Sequence, residues 1–302
     1  MTSGAPEAHG REIAASPTEG TARLLVQCPD RPGIVAAVSE HLYRYGANIV
    51  QGDQHSTGGD APRFFLRLEF DLASLEMPAS DIADSFGAEV APRFDMQWHI
   101  SYSAMRPRIA LLGTREPHCV LDLLWRWQTG ELEADIEVVI SNHDELRYLA
   151  DRYGVPYEHL PVTRETKPQQ EQAMIELLRG RVDLIVLARY MQVLSPAFLA
   201  EFPESIINIH HSFLPAFAGA NPRAQAWRRG VKIIGASAHY ATEELDEGPI
   251  IEQDVVRVTH RNTLDDLARL GREIERVVLA RAVRWHIEDR ILVHDNKTIV
   301  FR

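Results

Sequence analysis

Asn208, His210 and Asp246 are residues whose types could polarise a carbonyl and handle one proton. A carboxamide and an imidazole both donate hydrogen bonds to an oxygen that gains charge, and a carboxylate can orient or accept a proton. Asn208 and His210 stand two apart in the apolar run Ile206-Ile-Asn-Ile-His-His211, which reads as a strand. Alternation sends both to one face and Ile209 and His211 to the other. Ser212-Phe-Leu-Pro215 then breaks the strand into a loop. The pair therefore falls at the carboxyl end of a buried strand, where open α/β sheets place their ligands. Asp246 follows thirty-eight positions after Asn208, in the loop Leu245-Asp-Glu-Gly-Pro-Ile-Ile251. A carboxylate beside a histidine favours the imidazolium, which suits a donor to an oxyanion.

Asn-x-His, Ser-x-Leu-Pro and Leu-Asp-x-Gly-Pro-Ile in this order resemble the folate-dependent formyltransferase family, over about Ala22 to Arg302. The resemblance is nearest to its members that hydrolyse 10-formyltetrahydrofolate. It implies that His210 and Asn208 stabilise the oxyanion formed when a nucleophile attacks the formyl carbon. It implies that Asp246 pairs with His210 and positions or deprotonates the attacking water. It also implies that Arg189, Met191, Gln192, Val193 and Leu194 line a pterin pocket, with Glu243, Glu244 and Leu245 as its other wall. On pattern alone, Met191, Val193 and Leu194 are simply core. The implied products are tetrahydrofolate and formate, feeding one-carbon metabolism and purine biosynthesis, with a folate as substrate and no cofactor.

Transfer of the formyl group to an amine such as glycinamide ribonucleotide is the alternative within the same family. Relatives of that kind carry a glycine- and serine-rich loop after the first catalytic strand, where backbone N–H groups approach a phosphate. Here that place reads Leu112-Gly-Thr-Arg-Glu-Pro-His-Cys119. Only Gly113 remains, Glu116 adds negative charge and Pro117 removes a donor, although Arg115 keeps one cation. A non-catalytic folate or amino-acid sensor is the reading from another class, and three residues of catalytic type weigh against it.

Other residues invite other chemistry. His211 and His239 suggest a metal, but His210 and His211 face opposite ways on a strand and no spacing matches a zinc set, so no metal is expected. Ser212 lacks the Gly-x-Ser-x-Gly elbow of a hydrolase triad and reads as a cap on its loop.

The elements that must hold these residues read as a doubly covered α/β sheet. Strands are expected at Arg108–Leu112, Asp135–Ile140, Tyr157–Leu160, Leu184–Leu187, Ile206–His210, Lys232–His239 and Ile250–Val258. Helices are expected at Cys119–Thr129, Asp144–Tyr153, Lys167–Gly180, after Pro196, at Ala224–Arg229 and over Leu264–Ile287. The alternation implies an open, mostly parallel sheet with helices on both faces. The final Arg290–Phe301 stretch reads as a hairpin turning at Asp295-Asn296.

Ahead of it, strands at Arg23–Cys28, Ala47–His55, Phe64–Phe70 and Phe94–Tyr102 frame helices from Ile34 to Tyr45 and from Pro78 to Gly87. This βαββαβ order is ferredoxin-like. Its Cys28-Pro-Asp-Arg-Pro-Gly33 turn resembles the ACT domain, a small-molecule sensing module that often pairs with a copy of itself. The resemblance implies a regulatory role, a homo-oligomer, glycine or methionine as first effectors to test, and Asp30, Gly33 and Asn48 as contact candidates. Helix capping and a tight turn are the plainer reading of Asp30 and Gly33. The expected domains are a flexible tail at residues 1–20, an ACT domain at 21–103, and a formyltransferase-type domain at 107–302 after a short linker.

The chain has 302 residues and a net charge of −11, with no basic stripe for nucleic acid. Its two cysteines, Cys28 and Cys119, give no disulfide framework, which points to a cytoplasmic protein. No apolar run approaches the ~20 residues that cross a bilayer, so no membrane partner is expected.

Overall fold

A computed structural model describes residues 19–216 and 222–302, so the expected tail lies outside the described residues except at its end. The described residues form two compact units. One runs to Arg106 and includes Asp289–His294 and Ile299–Arg302; the other comprises Pro107–Glu288 with Asp295–Thr298.

The first unit contains β1 (Thr21–Pro29), α1 (Ile34–Arg44), β2 (Asn48–Ser56), β3 (Arg63–Asp71), α2 (Ala79–Glu89), the single turn α3 (Ala91–Phe94) and β4 (Gln97–Tyr102). Its four strands pair antiparallel in the order β2-β3-β1-β4, the expected ferredoxin-like arrangement. Leu24 and Val26 of β1 and Phe64, Leu66, Leu68 and Phe70 of β3 share one core with Val38, Leu42, Ile82 and Phe86 of the helices. Two features depart from the sequence reading. Phe94 ends α3 instead of opening β4: Pro92 suits a helix's first turn, and Asp95, at φ 54°, reverses the chain before Gln97. Arg67 alternates with the core residues of β3, a pattern that suits a solvated face, yet it is 1 % exposed. Its Nε donates to the Asp289 carbonyl at 3.0 Å and its Nη2 to Glu69 at 3.0 Å. C-terminal residues cover that face, and alternation within β3 carries no sign of them.

The second unit runs β5 (Arg108–Gly113), α4 (His118–Gln128), β6 (Asp135–Ser141), α5 (Arg147–Tyr153), β7 (Tyr157–His159), α6 (Lys167–Leu178), β8 (Leu184–Leu187), α7 (Pro196–Glu201) and β9 (Ile206–His210), followed by α8 (Pro222–Arg229), β10 (Ile233–Tyr240), β11 (Ile250–Arg257) and α9 (Leu264–Ile287). The seven strands lie in the order β11-β10-β9-β8-β5-β6-β7. The pairs from β9 to β7 are parallel, while β10 is antiparallel to both neighbours. Ile109 to Leu112 and Leu184 to Val186 are fully buried, the continuous apolar pattern of strands covered on both faces. The chain lays down β5, β6 and β7 outward, then crosses back to place β8 on the other side of β5. This reversal is the topological switch point, beyond the carboxyl ends of β5 and β8, at which open α/β sheets receive ligands. α9 begins at a capping box between Thr263 and Asp266 and packs on β9, β10, β11 and α4. The last segment pairs β12 (Ile291–His294) with β13 (Lys297–Val300), and Asp295 turns the hairpin at φ 53°.

Candidate active site

Strand β9 delivers Asn208 and His210 because Ile206, Ile207 and Ile209 bury its remaining side chains. The loop that follows is held by β10 and β11. Ser237 is fully buried; its Oγ accepts from the Leu214 N–H at 3.0 Å and from Gln253 Nε2 at 2.8 Å, and donates to the Ser212 carbonyl at 3.0 Å. That hydroxyl is satisfied on every side and anchors Ser212 and Leu214 to β10. Asp246 arrives on the β10–β11 loop at φ 60°, a left-handed conformation that aspartate tolerates better than most residues. Gly248 allows the loop to close, since a Cβ there would lie inside the Tyr240 carbonyl.

The three side chains converge. His210 Nδ1 lies 3.2 Å from Asp246 Oδ2. His239, opposite Asn208 in the antiparallel register, has Nε2 at 3.1 Å from Asn208 Nδ2 and at 3.6 Å from Asp246 Oδ1. His239 Nδ1 meets the Tyr240 carbonyl at 2.9 Å. A carbonyl only accepts, so Nδ1 carries the proton, and the neutral ring accepts from Asn208 through Nε2. The other ring nitrogen of His210 lies 3.0 Å from Ser212 Oγ, which donates to the Ala216 carbonyl at 2.8 Å. Burial pushes the Asp246 carboxyl up, but the His210 N–H outweighs it and holds the group well below the usual carboxylate range.

A cavity of about 310 Å³ opens in front of this cluster. Asn208, His210 and Asp246 line it, as do Arg189, Met191, Gln192, Val193, Leu194, Glu243 and Leu245. Met191 and Val193, which patterning alone assigns to the core, are 60 % and 56 % exposed and form the cavity's wall. Behind them Tyr190 is buried and accepts from Gln170 at 3.0 Å, and burial pushes its phenol up to about 12. Glu244 is absent from the lining; its carbonyl accepts from Thr242 Oγ1 at 3.1 Å and from the Glu247 N–H at 3.2 Å. His211 does line the cavity, its ring 5.3 Å from that of His210, because β9 ends at His210 and alternation stops there.

Comparisons with known proteins identify the chain's family. The family model described as Formyl transferase matches residues 107–283, and that described as ACT domain matches residues 22–76. A formyltetrahydrofolate deformylase of Bacillus subtilis (strain 168) is 52% identical over 284 residues, 94% of each chain. The crystal structure of a formyltetrahydrofolate deformylase from Pseudomonas syringae pv. tomato matches with a TM-score of 0.91 and 47% identity, over 93% of this chain and 94% of that one. The chain belongs to the formyltetrahydrofolate deformylase family. More remote is glycinamide ribonucleotide transformylase 1 from Symbiobacterium toebii, with a TM-score of 0.61 and 32% identity over 65% of this chain and 95% of that one.

At the β5 side of the sheet, Arg115 is exposed and pairs with Glu145 at 3.2 Å, while Glu116 lies 3.5 Å from His118. The sequence reading passed over His118 and Glu275, which meet at 2.8 Å, and His239, which it weighed only as a metal ligand. His118, Cys119 and Glu275 are close enough to share a cation. The Arg189 guanidinium, 3.5 Å from Glu275, already balances that carboxylate. Burial and the Glu275 charge push the Cys119 thiol well up, the reverse of what a thiolate ligand needs. The cluster therefore does not suit a metal.

The effector candidates lie in the first unit. Gly33 is the N-cap of α1 at φ 96°, and α1 has no side-chain cap, so Asp30 does not fill that role. The Asp30 N–H donates to the Pro62 carbonyl at 2.9 Å, and Asn48 opens β2. No helix among the described residues is long and apolar enough to cross a membrane.

Proposed function

We propose that this chain hydrolyses 10-formyltetrahydrofolate to tetrahydrofolate and formate. The observation that carries the reading is the 3.2 Å contact of His210 with Asp246, beside Asn208, in a cavity walled by Met191, Val193 and Leu194. Its volume of about 310 Å³ is at the lower end of small-molecule sites, and its apolar wall with polar groups at one end suits a flat pterin ring. Water attacks the formyl carbon, and Asp246 takes the water's proton. The second N–H of Asn208 Nδ2 and the Nε2–H of His210 donate to the oxygen as it gains charge. Before substrate binds, Ser212 Oγ accepts that His210 N–H, because its own hydrogen goes to the Ala216 carbonyl. The C–N bond to N10 then breaks as N10 takes the proton held by Asp246, which restores the carboxylate, and formic acid leaves and ionises to formate. No metal or organic cofactor is required by these steps.

Transfer to glycinamide ribonucleotide is disfavoured by the β5 loop, where Arg115 is engaged by Glu145 and Glu116 faces outward. The ACT match supports a regulatory role for the first unit, in which glycine or methionine binds near Asp30, Gly33 and Asn48 and copies of the chain associate, within the cytoplasm. Purified protein given 10-formyltetrahydrofolate and no amine should release formate at its full rate. Formate appearing only when glycinamide ribonucleotide is added would replace hydrolysis by transfer. The same assay with glycine or methionine should change in rate; indifference to both would remove that effector assignment.

A further inference from the structure

We propose that Arg189 restricts the site to water, by filling the crevice through which an amine acceptor would reach the formyl group. This inference rests on the hydrolase reading. In an open α/β sheet, the crevice beyond the strand ends at the point of reversal is where a ligand is received, and here that point lies between β5 and β8. β8 ends at Leu187, and Arg189 follows with φ 67°. Only glycine adopts that region freely; another residue there is strained unless its surroundings hold it.

The surroundings do hold it. Thr114 Oγ1, from the loop after β5, donates to the Arg189 carbonyl at 2.8 Å. The Arg189 side chain is buried at the edge of the cavity, with Nε 3.5 Å from Glu275 Oε2. Glu275 on α9 is fully buried and meets His118 Nε2 at 2.8 Å. The β5 loop, the β8 end and α9 are therefore joined to one another through a single arginine. A guanidinium at this edge takes up volume that an acceptor needs. Its Nε and Nη1 are buried and hydrogen-bond to no protein atom among the described residues.

The test counts products with glycinamide present alongside saturating 10-formyltetrahydrofolate. In transfer, the amine nitrogen bonds to the formyl carbon, the bond to N10 breaks and the amine's proton passes to N10. The wild-type chain should yield formate alone. Arg189→Gly, which suits this backbone, should yield N-formylglycinamide at least ~10-fold above the background seen with the wild type. Arg189→Gly combined with Glu275→Gln should do the same while leaving no unpaired buried carboxylate, and serves if the single variant does not fold. The product ratio is unaffected by a loss of folate affinity or of folded protein. N-formylglycinamide made by the wild type, or a folded variant that still yields formate alone, would overturn the assignment. Failure of the hydrolase reading looks different: wild-type protein would release no formate in the absence of amine.

Discussion

The second unit holds two histidine–carboxylate pairs of opposite character. His210 meets Asp246 at 3.2 Å on one side of the sheet's carboxyl end, and His118 meets Glu275 at 2.8 Å on the other. The first pair keeps a neutral third partner, His239, 3.6 Å from Asp246, and faces a cavity; the Asp246 side chain is 14 % exposed. The second has a cation, Arg189, as its third partner, and the Glu275 side chain is 1 % exposed. The same residue types thus make a centre able to meet changing charge and a charge-balanced plug. The difference comes from the third side chain and from access to solvent. A buried ion pair is costly to break because the survivor keeps its charge without a partner, whereas a site beside a cavity can exchange partners during a reaction.

The largest effect that would break this comparison is on stability. Glu275→Ala strands a buried guanidinium, and removal of one partner from such a pair costs about 3–5 kcal/mol. Chemical denaturation should report a loss of that size, against a smaller one for Asp246→Asn, whose site retains solvent access. Equal losses at the two carboxylates would show that the pairs do not differ in kind.

On turnover the order should reverse. Loss of an oxyanion donor costs roughly 2.7–4 kcal/mol of barrier, on the order of a hundredfold or more in rate. His210→Ala, Asn208→Ala and Asp246→Asn should each lose at least that while remaining folded. His118→Ala should keep the turnover of its folded fraction within about tenfold of wild type, since it removes one ordinary hydrogen bond behind the cavity. Rates of formate release, corrected for folded protein by circular dichroism, decide the matter. A larger loss at His118 than at His210 would place the chemistry on the wrong pair.

How much of this was legible depends on the range of the interactions. Asn208 and His210 share a face because alternation along a strand is local, and Leu264–Ile287 is readable as one helix because its periodicity is local too. His239 belongs to the cluster only through the antiparallel register that sets it opposite Asn208, and nothing in either segment's sequence states that pairing. Glu275 looks like one more charge on a long amphipathic helix, yet it is fully buried because His118 and Arg189 reach it from distant segments. The positive φ of Arg189 was hidden for a related reason: glycine advertises such a backbone, and an arginine held there by its contacts does not. Alternation also misled at His211, where the strand had already ended, and Arg67 owes its burial to residues more than two hundred positions away.

The smallest effect concerns acid. Burial pushes Asp246 up, yet the His210 contact prevails and leaves its carboxyl below the ordinary range. An unperturbed aspartate has a pKa of about 3.9. A folded-state value below that means Asp246 contributes stability that is present above about pH 4 and is lost only as the pH falls on toward the folded-state value. The catalytic carboxylate should therefore stay ionised across the whole range in which the enzyme is assayed, and any acidic limb in turnover must come from another group. Carbon-13 NMR of aspartate carboxyls, with the Asp246 signal assigned by its loss in Asp246→Asn, gives a direct reading. The signal should keep its ionised shift at pH 4, where a free aspartate is close to half protonated. A signal already midway at that pH would mean that burial prevails over His210, and the pairing that distinguishes this site from the buried Glu275 cluster would be weaker than the 3.2 Å contact implies.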